Sequence, residues 1–162
     1  MGEKVYVKKK TKMKYQHIIN LLPYTNPFLF VDALANVDNN GVVGSYTFNK
    51  NAPFYKGHFK GNPITPGVLL TECCAQIGVV CLGIHLLKSS NSLNDDQLQI
   101  ALTNSEMEFL LPVYPDEKVI VTSEKKYFRF QKLKCLVKMH NSEGKLVCKG
   151  TIAGMFRTVS HE

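Results

Sequence analysis

The sequence predicts an α+β fold in which an antiparallel sheet wraps around one long central helix. Residues 68–87 are apolar on almost every face, which is typical of a helix buried on all sides. Strand and hairpin patterns lie on both sides of this stretch and are joined by short polar connections. A length of 162 residues suits one domain with one core.

The segment before the helix is predicted to contain a short helix and a hairpin. The short helix is expected over residues 15–22, because Pro23 cannot continue it. Strands are expected over 28–37 and 42–48. An Asp-Asn-Asn-Gly sequence at 38–41 is a turn signal that joins the two strands.

The central helix is predicted to start at residues 65–67, with Thr65 as its cap and Pro66 and Gly67 as its first two residues. After it the chain shows strand patterns only. Four strands are expected there, over 97–109, 118–130, 133–139 and 145–158. Because such a sheet covers one side of the helix, the remaining apolar faces predict a dimer.

The net charge of +7 is distributed unevenly. Residues 1–13, predicted to be a basic arm ahead of a single domain over 14–162, are rich in lysine, and so are residues 125–149. This pattern indicates an anionic partner such as an acidic carrier protein, although a solvated basic face accounts for it equally well. No nucleic-acid-binding motif accompanies the charge, so nucleic acid is not expected as a partner.

Membrane, metal and cofactor sites are not expected. The N-terminus lacks an apolar signal region, and the longest nearly apolar run, 77–87, is too short to span a bilayer, so a cytoplasmic protein is predicted. The five cysteines have no metal-ligand spacing and are interpreted as buried thiols in a reducing compartment.

Three residues around the helix start form a candidate acid–base site. Gly67 would present a free helix N-terminal N–H to an oxygen that becomes negative. Glu72 is surrounded by apolar residues, and burial would keep its carboxyl protonated, while Gln76 one turn later would hold it. His58 lies on a glycine-framed loop and suits general-base work near neutral pH.

A base, a neutral acid and an oxyanion donor match the loss of water next to a thioester carbonyl. His58 would take the α-proton, Gly67 would stabilise the enolate-like oxygen, and Glu72 would protonate the departing β-hydroxyl. This chemistry requires no metal and no cofactor.

The sequence resembles a known family, the hotdog-fold 3-hydroxyacyl-[acyl-carrier-protein] dehydratases of the FabZ/FabA type. The stretch GHFKGNPITPGVLLTECCAQ at 57–76 is similar to their active-site signature. Residues 22–32, 51–59 and 112–116 resemble three further elements of that family.

The resemblance implies a double-hotdog dimer acting on acyl groups carried by acyl carrier protein. The family's catalytic histidine, acid and backbone donor match His58, Glu72 and Gly67, and the histidine and acid of one site usually come from opposite subunits. A glutamate at position 72 is similar to the FabZ branch, which dehydrates without isomerising. The residues predicted to bind substrate are Phe59, Pro66, Val68 and Gln76.

Four departures from the family pattern stand out. Leu-Pro-His-Arg is replaced by Leu-Pro-Tyr-Thr at 22–25, and Lys60 stands where a proline is usual. Leucines occupy 110–111 in place of basic residues, and Asn-Ser at 104–105 replaces Ile-Asp. These departures leave open whether the chain serves fatty-acid or polyene biosynthesis, and whether it forms a homodimer, a higher oligomer or a heterodimer with a second hotdog subunit.

Two alternative functions remain at this stage. A hotdog acyl thioesterase would use the same fold and helix start, with Glu72 directing a water molecule at the thioester. A non-catalytic hotdog subunit would only bind an acyl carrier protein. The His-Phe-x-Gly-x-Pro loop at 58–63 argues against the first, and the presence of both His58 and Glu72 argues against the second.

Overall fold

A six-stranded antiparallel sheet packs on one long helix in the computed structural model of the chain, which describes residues 14–93 and 98–158. The predicted basic arm, residues 1–13, lies outside the described residues. Helix α1 spans Gln16–Ile19. The strands are β1 (Ala33–Val37), β2 (Gly41–Thr47), β3 (Leu98–Phe109), β4 (Lys118–Arg129), β5 (Lys132–Asn141) and β6 (Leu146–Thr158). The α+β architecture predicted from the sequence is therefore confirmed.

The sheet has the strand order β1-β2-β4-β5-β6-β3, so β1 and β3 are its edges. Strand β5 lies inside the sheet, and its side chains alternate as the sequence predicted. Its inward residues are entirely buried: Leu133, Cys135, Val137 and Met139. Because side chains of a strand point alternately to opposite faces, the lysines between them lie on the outer face.

The central helix, α2, runs over Gly67–Ser89 and changes its winding in the middle. Its first part, Gly67–Ala75, is α-helical, Gln76–Cys81 is a π-helical segment, and Leu82–Ser89 is α-helical again. Ser123 of β4 donates a hydrogen bond of 2.8 Å to the carbonyl of Gly78. This contact gives a polar partner to a backbone group in the widened turns, where the α-helical pattern is interrupted.

Helix α2 has 23 residues and contains an 18-residue window with a mean hydropathy of 1.9. Among residues 14–93 and 98–158 it is the one helix long and apolar enough to cross a membrane. Within the protein, 72% of that apolar window is buried. The composition is accordingly that of a core helix, because its apolar surface packs against the sheet.

The expected strand over 28–37 is wrong in its first half, since β1 covers only Ala33–Val37. The preceding residues form a loop that pairs with a side chain instead of a strand. Gln76 accepts a hydrogen bond of 2.8 Å from the Phe30 N–H and donates one of 3.0 Å to the Phe28 carbonyl. One amide thus satisfies the backbone groups that a neighbouring strand would otherwise pair with.

The expected helix over 15–22 is shorter than predicted. Beyond α1, Leu21 and Leu22 donate backbone hydrogen bonds to Ile18 and Ile19, three residues earlier, each at 3.1 Å. The chain therefore tightens into 3₁₀-type turns before Pro23.

Candidate active site

His58 lies on a loop that follows a short 3₁₀ turn, Pro53–Lys56. Its backbone N–H donates to the Phe54 carbonyl at 3.0 Å, and its ring Nδ1 lies 2.8 Å from the Ile64 carbonyl. A carbonyl oxygen can only accept, so Nδ1 carries the proton in this bond. In the neutral ring Nε2 is then the free base, which is the arrangement that proton abstraction requires.

The base of this loop is closed by a buried hydrogen bond between two hydroxyls, Tyr55 Oη and Thr65 Oγ1, 2.6 Å apart. Both side chains are buried. The Thr65 N–H also donates to the Val113 carbonyl at 2.8 Å, which ties the loop to the segment between β3 and β4. The ring of His58 is therefore held between two fixed points of the chain.

The predicted cap at Thr65 is wrong, because its hydroxyl is engaged by Tyr55 and does not reach the helix. Pro66, half-buried, occupies the N-cap position with an extended backbone, and Gly67 is the first residue of α2 instead of the second. The Pro66 carbonyl accepts hydrogen bonds from Leu69 and Leu70 at 2.9 and 3.2 Å. This geometry starts the helix without a side-chain cap.

The N–H of Gly67 makes no hydrogen bond with any residue in 14–93 or 98–158. It belongs to the unpaired N–H groups of a helix start, where the helix dipole favours negative charge. The ring of Phe109, at the end of edge strand β3, lies 3.3 Å from the position that a Cβ would take on Gly67. A larger residue would press on this ring, so glycine keeps the approach to the N–H open.

Glu72 lies one turn further along α2 and is held by the amide described above. Gln76 Nε2 donates to Glu72 Oε1 at 2.9 Å, while the rest of that amide binds the loop at Phe28 and Phe30. Gln76 is entirely buried, so its side chain positions the carboxyl and presents no surface of its own. The predicted effect of Gln76 on substrate binding would therefore be indirect, through the position of the Glu72 carboxyl.

Burial raises the pKa of the Glu72 carboxyl above its usual value, and the hydrogen bond from Gln76 opposes this only in part. Tyr24 lies close by. Its burial, with a further contribution from the charge of Glu72, raises the pKa of the Tyr24 phenol to about 12. Glu72 thus faces a neutral phenol and apolar groups, which favour its protonated form.

The predicted residues fall into two groups within one protomer. His58 and Phe59 lie on the loop, and Glu72 and Gln76 lie on α2. No hydrogen bond joins His58 to Glu72 in the part of the chain described. Phe59 is 57% exposed beside the His58 ring, with its φ of 45° in the left-handed region that is uncommon for aromatic residues. Val68, on the first turn of α2, is 76% exposed.

Sequence reasoning missed two residues of this site, Tyr24 and Tyr55. Tyr24 was noticed only as a departure from the family pattern, and its position beside Glu72 depends on the loop that Gln76 binds. Tyr55 pairs with a residue ten positions later. No periodicity marks such a pair, although two hydroxyl residues bracketing a histidine loop are a usable signal.

Within residues 14–93 and 98–158, no three cysteine, histidine or carboxylate side chains lie close enough to hold an ion. All five cysteines are free and buried.

Comparison with known proteins identifies the family. The FabA-like domain matches residues 22–153. The 3-hydroxyacyl-[acyl-carrier-protein] dehydratase FabZ of Erwinia tasmaniensis is 34% identical over 143 residues, covering 86% of this chain and 90% of that protein. The FabZ of Chlamydia trachomatis is 38% identical over 117 residues, covering 71% and 74%. The chain therefore belongs to the FabA-like family and is similar to its FabZ dehydratases.

Solved structures share the fold at low sequence identity. The dehydratase heterocomplex ApeI:P from Xenorhabdus doucetiae has a TM-score of 0.74 and 14% identity, covering 87% of this chain and 91% of that one. A thioesterase from Haemophilus influenzae has a TM-score of 0.55 and 13% identity, with 80% of each chain covered. These likenesses confirm the predicted hotdog fold.

The raised pKa of Glu72 predicts a pH-dependent gain in stability for Glu72→Gln. The folded protein holds the Glu72 proton more tightly than the unfolded chain, whose carboxyl titrates near 4.5. Stability therefore falls as the pH rises from that value to the higher folded pKa. Glu72→Gln lacks this loss, so its free energy of unfolding should exceed that of the wild type above this window.

Urea unfolding of both proteins from acidic to neutral pH measures the difference. Below the window both side chains are neutral and similar in shape, so the two proteins should match there, which serves as the internal control. A difference that does not depend on pH would contradict the proposed environment of Glu72.

Proposed function

We propose that this chain dehydrates 3-hydroxyacyl thioesters on acyl carrier protein to trans-2-enoyl thioesters. One observation carries the proposal: in a chain similar to FabZ dehydratases, the two groups that an elimination needs are held in the states it needs. His58 has its Nδ1 committed to a backbone carbonyl, and Glu72 sits where burial favours its protonated form. Such a pair can act as general base and general acid at neutral pH.

In the proposed reaction, His58 Nε2 takes the proton from the α-carbon, and the electrons of that C–H bond form the new carbon–carbon double bond. The Gly67 N–H stabilises the negative charge that develops on the thioester oxygen. As the β-carbon–oxygen bond breaks, Glu72 transfers its proton to the departing hydroxyl, which leaves as water. Each general acid or base contribution is typically about 10²–10⁴-fold.

The reaction leaves His58 positively charged and Glu72 negatively charged. The Gln76 amide donates to Glu72 Oε1 and steadies this carboxylate until a proton returns from solvent. The two charges attract each other, and transfer of one proton through solvent from imidazolium to carboxylate restores the starting state. Phe59 lies on the His58 loop, Pro66 and Val68 lie at the start of α2, and we assign all three to substrate binding.

We further propose that each site is shared between two subunits. Within one protomer His58 and Glu72 are not joined by a hydrogen bond. The edge strand β3 is twelve residues long and pairs with β6 on one side, and no described strand covers its other side, which is open to a partner strand. Leu102 and Phe109 on this edge are 56% and 48% exposed. An exposed apolar edge of this length favours pairing with a second hotdog subunit, and we favour a homodimer.

The first test is an assay of the purified protein with a 3-hydroxyacyl carrier substrate that follows enoyl product against free thiol. A dehydratase yields enoyl thioester without thiol. Both His58→Ala and Glu72→Gln should reduce the rate by about 10²-fold or more. Release of thiol without enoyl product would support the thioesterase alternative instead, and activity that survives in both variants would reject the assigned site.

A mixture of the two inactive variants tests whether the site is shared. In a heterodimer of His58→Ala with Glu72→Gln, one site contains both wild-type residues and the other contains neither. Random pairing should therefore restore about a quarter of the wild-type activity, because half the dimers are mixed and each has one of two sites.

Co-unfolding and refolding the variants together, followed by the enoyl assay, gives this measurement. The same treatment of each variant alone is the control. If the mixture stays as inactive as its components, the residues of one site belong to one chain or the chain pairs with a different subunit, as in the heterocomplex from Xenorhabdus doucetiae.

The outer face of the sheet is our candidate docking surface for the acidic carrier protein. Lys134 and Lys138 of β5 lie on this face, and neither forms a salt bridge with a described residue. Lys138 stands directly opposite Lys149 of β6, and the charge of Lys149 is paired with Glu108 of β3 at 3.7 Å. Lys138 therefore faces a compensated cation, and its own charge is available to an anionic partner.

The hairpin between β4 and β5 extends this basic docking surface. Phe130 at its tip is 93% exposed and lies between Arg129 and Lys132. An exposed aromatic ring flanked by cations can anchor a partner while the charges steer its approach.

Reversing the charge of Lys134 and Lys138 to glutamate should weaken carrier binding and reduce its dependence on salt. Charges at the rim of an interface act mainly on the association rate, so we expect a loss of about tenfold or more at low salt. Binding is measured by titration with acyl carrier protein at several ionic strengths, and Lys88→Glu at the end of α2 is the control. Turnover of a small thioester without the carrier should not change; unchanged carrier binding would mean that this face is only solvated.

We place the reaction in the cytoplasm, where all five buried thiols would stay reduced. Fatty-acid and polyene biosynthesis both supply the proposed substrate class.

A further inference from the structure

Two hollow spaces meet behind Glu72, and Tyr24 and Ile100 form the wall that they share. The first is a cavity of about 40 Å³, lined by Glu72, Tyr24, Val79, Val80, Ile100 and Leu102 among others. The second is an open groove of about 560 Å³ along β3 and β6, which Tyr24 and Ile100 line together with Leu98 and Met155. The small cavity therefore ends where the large groove begins.

The direction of the acyl chain follows from the role of Glu72. The carboxyl that protonates the departing hydroxyl lies at the third carbon of the acyl group. Carbons beyond the third must continue past Glu72, away from the thioester. The apolar space that adjoins Glu72 is the small cavity, so an acyl tail would enter it and bury its methylene groups against Val79, Val80 and Leu102.

The size of this cavity limits the length of the tail. A cavity that holds one water molecule measures about 10–15 Å³ on the same scale. The space beside Glu72 therefore admits roughly three groups of that size, which are comparable with methylene groups. A longer tail would have to pass between Tyr24 and Ile100 into the groove.

We propose that Tyr24 closes the acyl pocket and makes this chain selective for short 3-hydroxyacyl groups. The inference rests on the proposed dehydration and adds its substrate range. In the absence of the Tyr24 ring, the pocket and the groove would join, and the groove has the volume of a typical ligand-binding site.

The Tyr24 ring is held in place by the loop that carries it. It packs on the ring of Phe28, with the centroids 6.2 Å apart, and it lies against the hydrophobic core. The Phe28 carbonyl in turn accepts the hydrogen bond from Gln76. The same amide that positions Glu72 therefore also fixes the segment against which the closing ring leans.

The test compares the rate of enoyl formation on 3-hydroxyacyl carrier substrates with four to twelve carbons. The wild type should prefer the shortest substrates by about tenfold or more, as expected when a pocket rejects extra methylenes. Tyr24→Ala should shift the ratio of the rates on long and short substrates by a similar factor toward long chains. Tyr24→Phe keeps the ring and removes only the hydroxyl, so its chain-length profile should match the wild type.

Two further variants address the same wall and cavity without changing Tyr24. Ile100→Ala opens the wall from β3 and should also admit longer chains. Gly154→Ala should shorten the accepted range, because its added methyl would stand 3.4 Å from side-chain atoms of Ile100 and Val79. Circular dichroism and thermal unfolding check that each variant is folded, and if Tyr24→Ala fails to fold, Ile100→Ala decides the outcome.

The possible results separate the two proposals. A wild type that dehydrates all chain lengths equally keeps the proposed function and overturns the role of Tyr24. A folded Tyr24→Ala or Ile100→Ala protein with an unchanged length profile overturns it as well. A wild type that forms no enoyl product from any substrate overturns both the proposed function and this inference.

Discussion

The buried amide of Gln76 is the interaction on which the rest of the site depends. A fully buried polar side chain must have its hydrogen bonds satisfied, and Gln76 finds its partners on two different parts of the chain. It binds the backbone at Phe28 and Phe30 and, on its own helix, the carboxyl of Glu72. The angle at which the loop meets the helix and the direction of the Glu72 side chain are therefore fixed by one group. Removing that group would leave the buried Phe30 N–H unpaired, at a cost of about 1–3 kcal/mol.

The two reacting side chains are prepared by opposite means. His58 is oriented through a main-chain carbonyl, which selects one tautomer without adding charge. Burial removes water from Glu72 and raises the pKa of its carboxyl, and the hydrogen bond from Gln76 opposes part of this rise. The hydrogen bond of His58 leaves Nε2 free to accept a proton, whereas burial favours the protonated form of Glu72, so one site offers both a base and an acid.

Much of this fold could be predicted from the sequence because its elements are strongly periodic. The apolar stretch of α2 and the alternation in β5 reflect burial that is repeated over many residues, and both were placed correctly. The family and its hotdog fold are confirmed by the comparisons. The segment 28–31 was read as a strand because it is apolar, but its backbone partner is a side chain 46 residues away. Local patterns contain no information about a contact of that range.

The remaining errors have the same origin. Thr65 has the residue type and position of a helix cap, but its hydroxyl forms a hydrogen bond with Tyr55 instead. The two side chains are buried together at the base of one loop. The widened turns at Gln76–Cys81 depend on how closely Gly78 approaches Ser123 and Val137, which no propensity encodes. The types and spacing of His58 and Glu72 could be found in the sequence. The tautomer of the first and the wall formed by Tyr24 required coordinates.

The widened turns also have a consequence for how this chain can change over evolutionary time. An α-helix advances by about 100° per residue, so the two halves of α2 keep their orientations only while the segment between them retains its length. Loss of one residue there would turn the half that carries Glu72 away from its loop while the other half stayed seated on the sheet. A point substitution in this segment changes only its packing, whereas an insertion or deletion changes the orientation of Glu72. Relatives of this chain should therefore differ in this segment by substitutions more often than by insertions or deletions.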